Sequence, residues 1–321
     1  MSLGEFDLIA KYFTRTVTRA ALGVGDDCAL FATSPGTQLA VSSDMLVEGR
    51  HFLPTVAPER LGHKALAVNL RDLAACGAKP VAFTLALALP RVDERFLEGF
   101  ARGLLALADE HACELIGGDT TQGPLNLCIT VFGEVPQGAA LLRSGAQPGD
   151  DLYVSGTLGD ARLALEVFRG TVALDGAGFG HARLAMERPQ PRVALGLALR
   201  GLATSAIDVS DGLLGDLAHV LRRSNVGAEV QVDALPRSAV LRALPDALQR
   251  TCTLAGGDDY ELVFTAPPAA ALRVAAAARA AGVEATRIGR IDAAGTGLRL
   301  LDRDGRGVDN TFGAFDHFKT Q

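Results

Sequence analysis

The sequence predicts an α/β (α+β) chain of two domains, with mixed sheets flanked by helices. Three observations predict it. At 321 residues the chain exceeds what one hydrophobic core commonly holds. Period-two apolar runs alternate with stretches of helical spacing along its length. A segment rich in Gly, Pro and small residues, "PQGAALLRSGAQPGDD", interrupts that pattern near the middle. The boundary is placed there, giving domains over residues 1–136 and 137–321.

Leu8, Ile9, Tyr12 and Phe13 share one helical face, so the chain opens with a short amphipathic helix. "TQLAVSSD" reads as a strand running out into a polar tip. Glu59 to Cys76 has helical spacing, with Gly77 at the C′ position. The strand "VAFTLALAL" follows, then a helix opened by Asp93, whose carboxylate suits the first free N–H groups. "CELIGGD" and "LNLCITVFGEV" complete the first set of strands. Behind the boundary come strand "DLYVSG", helix "DARLALEVFRG" and a helical pair separated by "RPQPR". Strand "SAIDVSD", helix "GLLGDLAHVLRR" and strand "EVQVD" are next. After "AGGDDYELVFTAPP" lie helix "AALRVAAAARAAG" and strands "ATRIGRI" and "GLRLLD". Both halves hold a strand ending in Ser-Asp (Ser43-Asp44 and Ser210-Asp211), an echo too short to establish a repeat.

Composition narrows the function classes. A hydrophobic content of 48% with 21% charged residues describes a soluble globular chain rather than a disordered one. The net charge of -6, with no Lys/Arg run interleaved with aromatics, argues against a nucleic-acid partner. The five cysteines are odd in number and never spaced CxxC, which fits reduced thiols in a cytosol. Glu5 and Asp7 stand where an export signal is apolar, and the longest uncharged apolar stretch, Val81 to Pro90, is about half a membrane span. A cytoplasmic protein with no membrane partner is expected.

The chemistry-bearing residues are acidic. Asp26 and Asp27 follow two glycines in "GVGDD"; Asp44, Asp72 and Asp119 follow in "AVSSD", "NLRD" and "IGGDTT". The second half adds Asp208 and Asp211 in "IDVSD", and Asp258 and Asp259 in "GGDDYE". Taken singly, each is ordinary turn or cap chemistry. Their recurrence beside Gly and Ser/Thr points to hard oxygen donors for Mg²⁺, which joins a few carboxylates to substrate phosphates. Without cations such a cluster would repel itself. Arg143, in "LLRSGAQPGD", offers a guanidinium to phosphate. His51 follows Asp44 closely enough to approach the same cluster, and His111 precedes a strand where it could meet an adenine face. No GxxxxGK[ST], complete GxGxxG, HRD, DFG, GxSxG or HExxH occurs, so nucleotide chemistry here must rest on metals and backbone.

These motifs resemble a known family. "GVGDDCAL", "SSDMLVEGRHF", "KALAVNLRDLAACGAKP", "LIGGDTT", "LLRSGAQPGD", "IDVSDGLLGDL", "GGDDYEL" and "FDHF" occur in the order found in thiamine-monophosphate kinases, relatives of aminoimidazole ribonucleotide synthetase (PurM-type). The resemblance covers almost the whole chain. It implies a PurM-like fold, dimeric through the N-terminal sheets, that uses ATP and several Mg²⁺ ions to phosphorylate thiamine monophosphate. By matching motif it implies metal ligands or their support at Asp27, Ser42, Ser43, Asp44, Asp72, Asp119, Asp208 and Asp211. Of these, Asp119, Asp208 and Asp211 would carry catalysis. Gly118, Asp119, Arg143, Ser210 and His111 fall to ATP, and His51, Asp258 and Phe315 to thiamine. Asp258 is often Glu in this family, and Phe315 often Trp or Tyr; both departures bear on thiamine contacts rather than on the reaction. Selenophosphate synthetase relatives carry a reactive Cys or selenocysteine and a Lys in a glycine-rich N-terminal segment. This chain has neither before Cys28 apart from Lys11 in the opening helix. A nucleotide-binding module that had lost catalysis would lack acidic ligands, and the complement here is whole.

Overall fold

The computed structural model describes residues 4–312. Phe315 and the rest of "FDHF" lie outside the described residues. The chain divides into two compact units. One runs up to Leu73 and includes Ala78–Gly138; the other holds Ala74–Gly77 and the chain from Ala139 onward. Among the described residues no helix is long and apolar enough to cross a membrane.

The first unit contains α1 (Glu5–Tyr12), β1 (Thr37–Val47), α2 (Pro58–Ala75), β2 (Lys79–Leu89), α3 (Glu94–Glu110), β3 (Glu114–Gln122) and β4 (Asn126–Pro136). Asp93 caps α3, accepting the N–H groups of Arg95 and Phe96 at 3.0 and 3.2 Å. Gly77, at φ 66°, ends α2, with Ala78 N–H returning to the Leu73 carbonyl at 2.7 Å. Glycine also sets the closeness of α2 to α3. A Cβ on Gly103 would stand 1.8 Å from the Glu59 carbonyl oxygen, so any side chain there would force the helices apart.

The strands pair in the order β1-β4-β2-β3, antiparallel except for the parallel β2/β3 contact. Register places Asp44, Ile129, Leu85 and Gly118 in one cross-strand row, and Met45, Cys128, Ala86 and Asp119 in the next. Neighbouring rows face opposite sides of a sheet. One face therefore buries Phe83, Leu85, Leu87, Ile129 and Val131 on the side of α2. The other carries Leu39, Val41, Ser43 and Met45, all exposed. Its far end is covered by the segment leading to and from "GVGDD": Val17, Ala20, Ala29 and Phe31 pack on Ala82, Ile116 and Phe132.

Two expectations change here. β1 does not end at a polar tip: Met45–Val47 continue the ladder against Cys128–Asn126, and Leu46 is buried, so Ser43-Asp44 sit inside the strand. Asp119 likewise lies within β3, paired with Ala86. For Asp44 the apolar Met45, Leu46 and Val47 hold the pairing past the acid, and for Asp119 the ladder of Thr120–Gln122 with Leu87–Leu89 does so.

The second unit contains β5 (Asp151–Ser155), α4 (Asp160–Phe168), α5 (Gly176–Glu187), α6 (Val193–Ala198), β6 (Ser205–Asp208), α7 (Leu213–Ser224), β7 (Gly227–Gln231), α8 (Ala239–Arg242), α9 (Asp246–Ala255), β8 (Leu262–Ala266), α10 (Ala271–Ala280), β9 (Ala285–Asp292), β10 (Leu298–Leu301) and β11 (Gly307–Val308). The sheet order is β11-β10-β7-β9-β5-β8-β6. Leu213, Leu217 and Val220 of α7 pack against Leu152, Val154, Val263 and Ile288 of the central strands. β5, β6 and β8 are buried along their whole length, which explains their lack of alternation. The sequence pattern assigns no element between "EVQVD" and "AGGDDYEL"; α8 and α9 lie there because Pro236 and Pro245 cut the stretch into pieces too short to show a period.

The segments on either side of "GVGDD" are fastened by acids of the sheet. Glu114 accepts the Thr18 N–H and hydroxyl, both at 2.6 Å, and the N–H groups of Arg19 and Ala20. Glu134 takes the Arg19 guanidinium at 2.6 Å and the Ser34 N–H at 2.7 Å. Burial alone would raise the Glu114 carboxyl, but these donors outweigh it and bring it down to about 2. Its folded-state value is depressed, so its contribution is full at neutral pH and fades as pH falls from the ordinary glutamate range towards about 2. Glu114→Gln should destabilise the protein by about 1–3 kcal/mol at pH 7, read as a lower thermal midpoint. That deficit should shrink steadily below pH 4.5; a deficit independent of pH would mean the charge is not what holds the segment.

Candidate functional site

In the first unit, Ser42 and Asp44 lie two residues apart on the α2 side of β1. The Ser42 hydroxyl donates to Asp72 of α2, and Asn69 Oδ1 accepts the Asp44 N–H at 3.0 Å. Arg71, buried on the same helix, reaches Asp44 Oδ2 at 3.4 Å and Asp72 Oδ1 at 3.7 Å. Ser42, Asp44 and Asp72 are thus brought together with a guanidinium between the two carboxylates. Ser43 and Asp119 are not in this group, because period two turns them to the opposite face. Ser43 Oγ meets Thr130 Oγ1 at 2.9 Å there. Gly118, beside Asp119, has φ 150°, and a Cβ would stand 1.9 Å from the Leu85 carbonyl oxygen, so only glycine fits. Asp26 and Asp27 are exposed in a loop turned by Gly25 at φ 125°. Gly23 serves close approach instead, its Cα lying against Val17.

His51 Nδ1 accepts the Val47 N–H at 3.0 Å, which puts the proton of a neutral ring on Nε2. The fully buried Lys64 donates to the His51 carbonyl at 3.0 Å. His111 follows α3 as its C-cap, and burial lowers its pKa.

In the second unit the two acidic motifs meet. Past β6, Asp258 N–H donates to the Ser210 carbonyl at 2.9 Å, Tyr260 N–H to Val209 at 2.9 Å, and Val209 N–H to Glu261 at 2.8 Å. "IDVSD" is zipped to "GGDDYEL" by backbone. Gly257 permits this approach, since a Cβ there would stand 2.5 Å from the Ser210 carbonyl oxygen. Asp258 and Tyr260 both hold φ near 60°, unusual for non-glycine residues, and the Tyr260 hydroxyl donates to Asp258 Oδ1 at 2.5 Å.

Asp216 was not singled out by its sequence context, yet its Oδ2 accepts the Ser210 and Asp211 N–H groups at 2.9 and 3.0 Å. It fixes the turn that presents Asp211. Burial pushes its carboxyl up to about 7, and Asp208 and Asp211 add to the rise. Its signal was visible as an acid one turn into a helix, which is common enough to be uninformative. Ser224 Oγ accepts the Gly145 and Ala146 N–H groups and donates to the Arg143 carbonyl, tying the Arg143 loop to the end of α7. Among the described residues no three His, Cys, Asp or Glu side chains converge as a ready cage for a metal.

The AIR synthase related protein models match over residues 25–135 (N-terminal domain) and 147–300 (C-terminal domain). The thiamine-monophosphate kinase of Salmonella typhimurium is 46% identical over the full length of both chains. The crystal structure of thiamine-monophosphate kinase from Stenotrophomonas maltophilia superposes with a TM-score of 0.85 at 46% identity, covering 96% of this chain and 99% of that one. AaThiL complexed with AMPPCP and TMP superposes with a TM-score of 0.77 at 29% identity, covering 89% of each chain. This chain belongs to the thiamine-monophosphate kinase family of AIR synthase related proteins.

Proposed function

We infer that this protein transfers the γ-phosphoryl group of ATP to thiamine monophosphate, yielding thiamine diphosphate. The observation that carries this reading is the backbone zip between Ser210-Asp211 and Asp258, which sets a phosphate-side acid beside a substrate-side acid. The family's activity on thiamine monophosphate, and a relative that holds AMPPCP and TMP, support it.

The acceptor brings its own nucleophile. A phosphate monoester has a second pKa of about 6, so its oxygen is mostly ionised at neutral pH and no strong general base is required. What the protein must do is seat two polyanions together. Asp208 and Asp211 are the second unit's hard-oxygen donors for this; the first unit's are Ser42, Asp44 and Asp72 on one face of its sheet, with Ser43 and Asp119 on the other and Asp27 in its loop. Burial lifts Asp216 to about 7, and Asp208 and Asp211 add a repulsion of the kind a divalent cation relieves, so the donor set fits Mg²⁺. When bound, Mg²⁺ supplies charge neutralisation and alignment of the reacting oxygens. Asp216 holds the Ser210 and Asp211 backbone by one N–H bond from each, and Ser224 holds the Arg143 loop that offers a guanidinium to ATP. Gly118, Ser210 and His111 complete the ATP side. His51, Asp258 and Phe315 serve thiamine, Asp258 by its charge against the thiazolium cation. Transfer is direct, with no phosphoenzyme.

The working unit is a homodimer through the first unit's sheet. β1 is an edge strand, and Leu39, Val41 and Met45 on its outer side are 42, 55 and 55% exposed, a face that a second copy would cover. Five free thiols fit a cytoplasmic setting.

Supplied with ATP, Mg²⁺ and thiamine monophosphate, the protein should form thiamine diphosphate, and free thiamine should give none. Asp211→Asn should lower kcat about 100-fold or more with an unchanged melting profile. A near-normal rate at saturating Mg²⁺ would contradict the role of Asp211. In sedimentation, Val41→Asp should run as one chain where the parent runs as two. A parent of one chain, or a variant still of two, would remove the dimer.

A further inference from the structure

A pocket of about 280 Å³ lies wholly within the second unit, between α4, α5 and the "GGDDYEL" strand. Leu184, Ala185 and Pro189 give it an apolar wall, and its polar side is formed by Asp160, Asp258, Asp259 and Glu261 with His181, Arg188 and Arg192. Most of these polar groups already have partners. Asp160 takes the Ser238 hydroxyl at 2.7 Å and His181 Nε2 at 3.2 Å. Glu261 takes the Ser155 hydroxyl at 2.5 Å and a forked pair from Arg192. Asp259 differs. Its Oδ1 accepts the Gly159 N–H at 2.8 Å, while its Oδ2 is shut off from solvent with no hydrogen-bond partner among the described residues. A buried polar atom left unmatched costs about 1–3 kcal/mol, so such an atom on a residue that lines a pocket marks a place for a ligand atom.

We propose that Asp259 recognises the aminopyrimidine half of the thiamine substrate, its Oδ2 meeting a ring nitrogen inside this pocket. The inference rests on the kinase reading given above. Burial first, with Asp160, Glu261 and Asp258 adding to it, pushes the Asp259 carboxyl well above the usual carboxylate range against the pull of the Gly159 N–H, which favours its protonated form. A protonated Oδ2 donates, and so seeks an acceptor. The thiazolium ring offers no such nitrogen, its one nitrogen being quaternary. A phosphate offers acceptors, but its charge opposes Asp160, Asp258 and Glu261 in the same pocket, where Arg192 is already committed to Glu261. The pyrimidine ring has two acceptor nitrogens, carries no charge at neutral pH, and is flat enough for an apolar wall. A pocket near the lower limit for small-molecule sites suits one ring rather than the whole substrate. Asp258, adjacent in sequence and lining the same pocket, then lies towards the thiazolium.

The test measures thiamine monophosphate binding by calorimetry with AMPPCP and Mg²⁺ present, alongside kcat and the KM of each substrate. Asp259→Ala should weaken thiamine monophosphate about tenfold, leaving the ATP KM unchanged. Asp259→Asn should restore most of that loss, since an amide accepts the Gly159 N–H through oxygen and still donates an N–H to the ring. Two substrate analogues, each with one pyrimidine nitrogen replaced by CH, complete the cycle. One should bind the parent protein about tenfold more weakly yet lose nothing further in Asp259→Ala. If Asp259→Ala does not fold, the analogues on the parent protein decide alone. Equal binding of both analogues and the natural substrate, or an asparagine variant as weak as the alanine one, overturns the proposal. A parent that binds thiamine monophosphate without turning it over removes the kinase reading and leaves this test standing. One that does not bind it at all removes both.

Discussion

A carboxylate taken out of water must find a donor, a counter-charge, a proton or a cation. The described residues show donors, counter-charges and raised carboxyls, and the protein's working parts follow from which acid receives which. Glu114 is satisfied by N–H groups and a hydroxyl, and so becomes a clamp. Glu261 is satisfied by Arg192 and Ser155 and becomes a strut beneath the acidic loop. Asp216 accepts two backbone N–H groups, but burial, with Asp208 and Asp211 beside it, pushes its carboxyl up to about 7. Three acids gathered in this way are unfavourable for stability alone, and the proposed phosphate chemistry gives them a use.

The fold supplies the placement. In the second unit, backbone pairing past the end of β6 carries two separate stretches of chain to one spot, with Gly257 clearing the approach. In the first, the alternation of β1 sends Ser42 and Asp44 towards α2 while Ser43 faces the other way. The loop carrying Asp26 and Asp27 is anchored on the face that Ser43 shares, through Ala29 and Phe31. A short sequence run thus serves both sides of one sheet. The glycines of "GVGDD" divide their duties: Gly25 makes the turn and Gly23 makes room for Val17.

Much of this was legible in the sequence. The Asp93 cap, the Gly77 stop and the long helices follow from local rules, because their signals depend only on neighbours along the chain. Motif order carried the family. What was hidden depends on contacts between distant residues. Asp44 reads as a strand tip because polar residues precede it, whereas the buried Leu46 two residues on keeps the strand going. Arg71 and Asp216 look like ordinary helical charges until the fold sets one between two carboxylates and the other under a turn. α8 and α9 were hidden by prolines that break any period. The unmatched oxygen of Asp259 has no sequence signature at all, since its neighbour Asp258 is chemically identical and differently placed.

If the acids act by seating two phosphates rather than by attacking either, the phosphoryl group passes straight from donor to acceptor. The most direct measurement is the stereochemical course at an isotopically chiral γ-phosphorus of ATP, followed into thiamine diphosphate. Inversion is the predicted result. Retention would require an intermediate on the protein and would contradict the account.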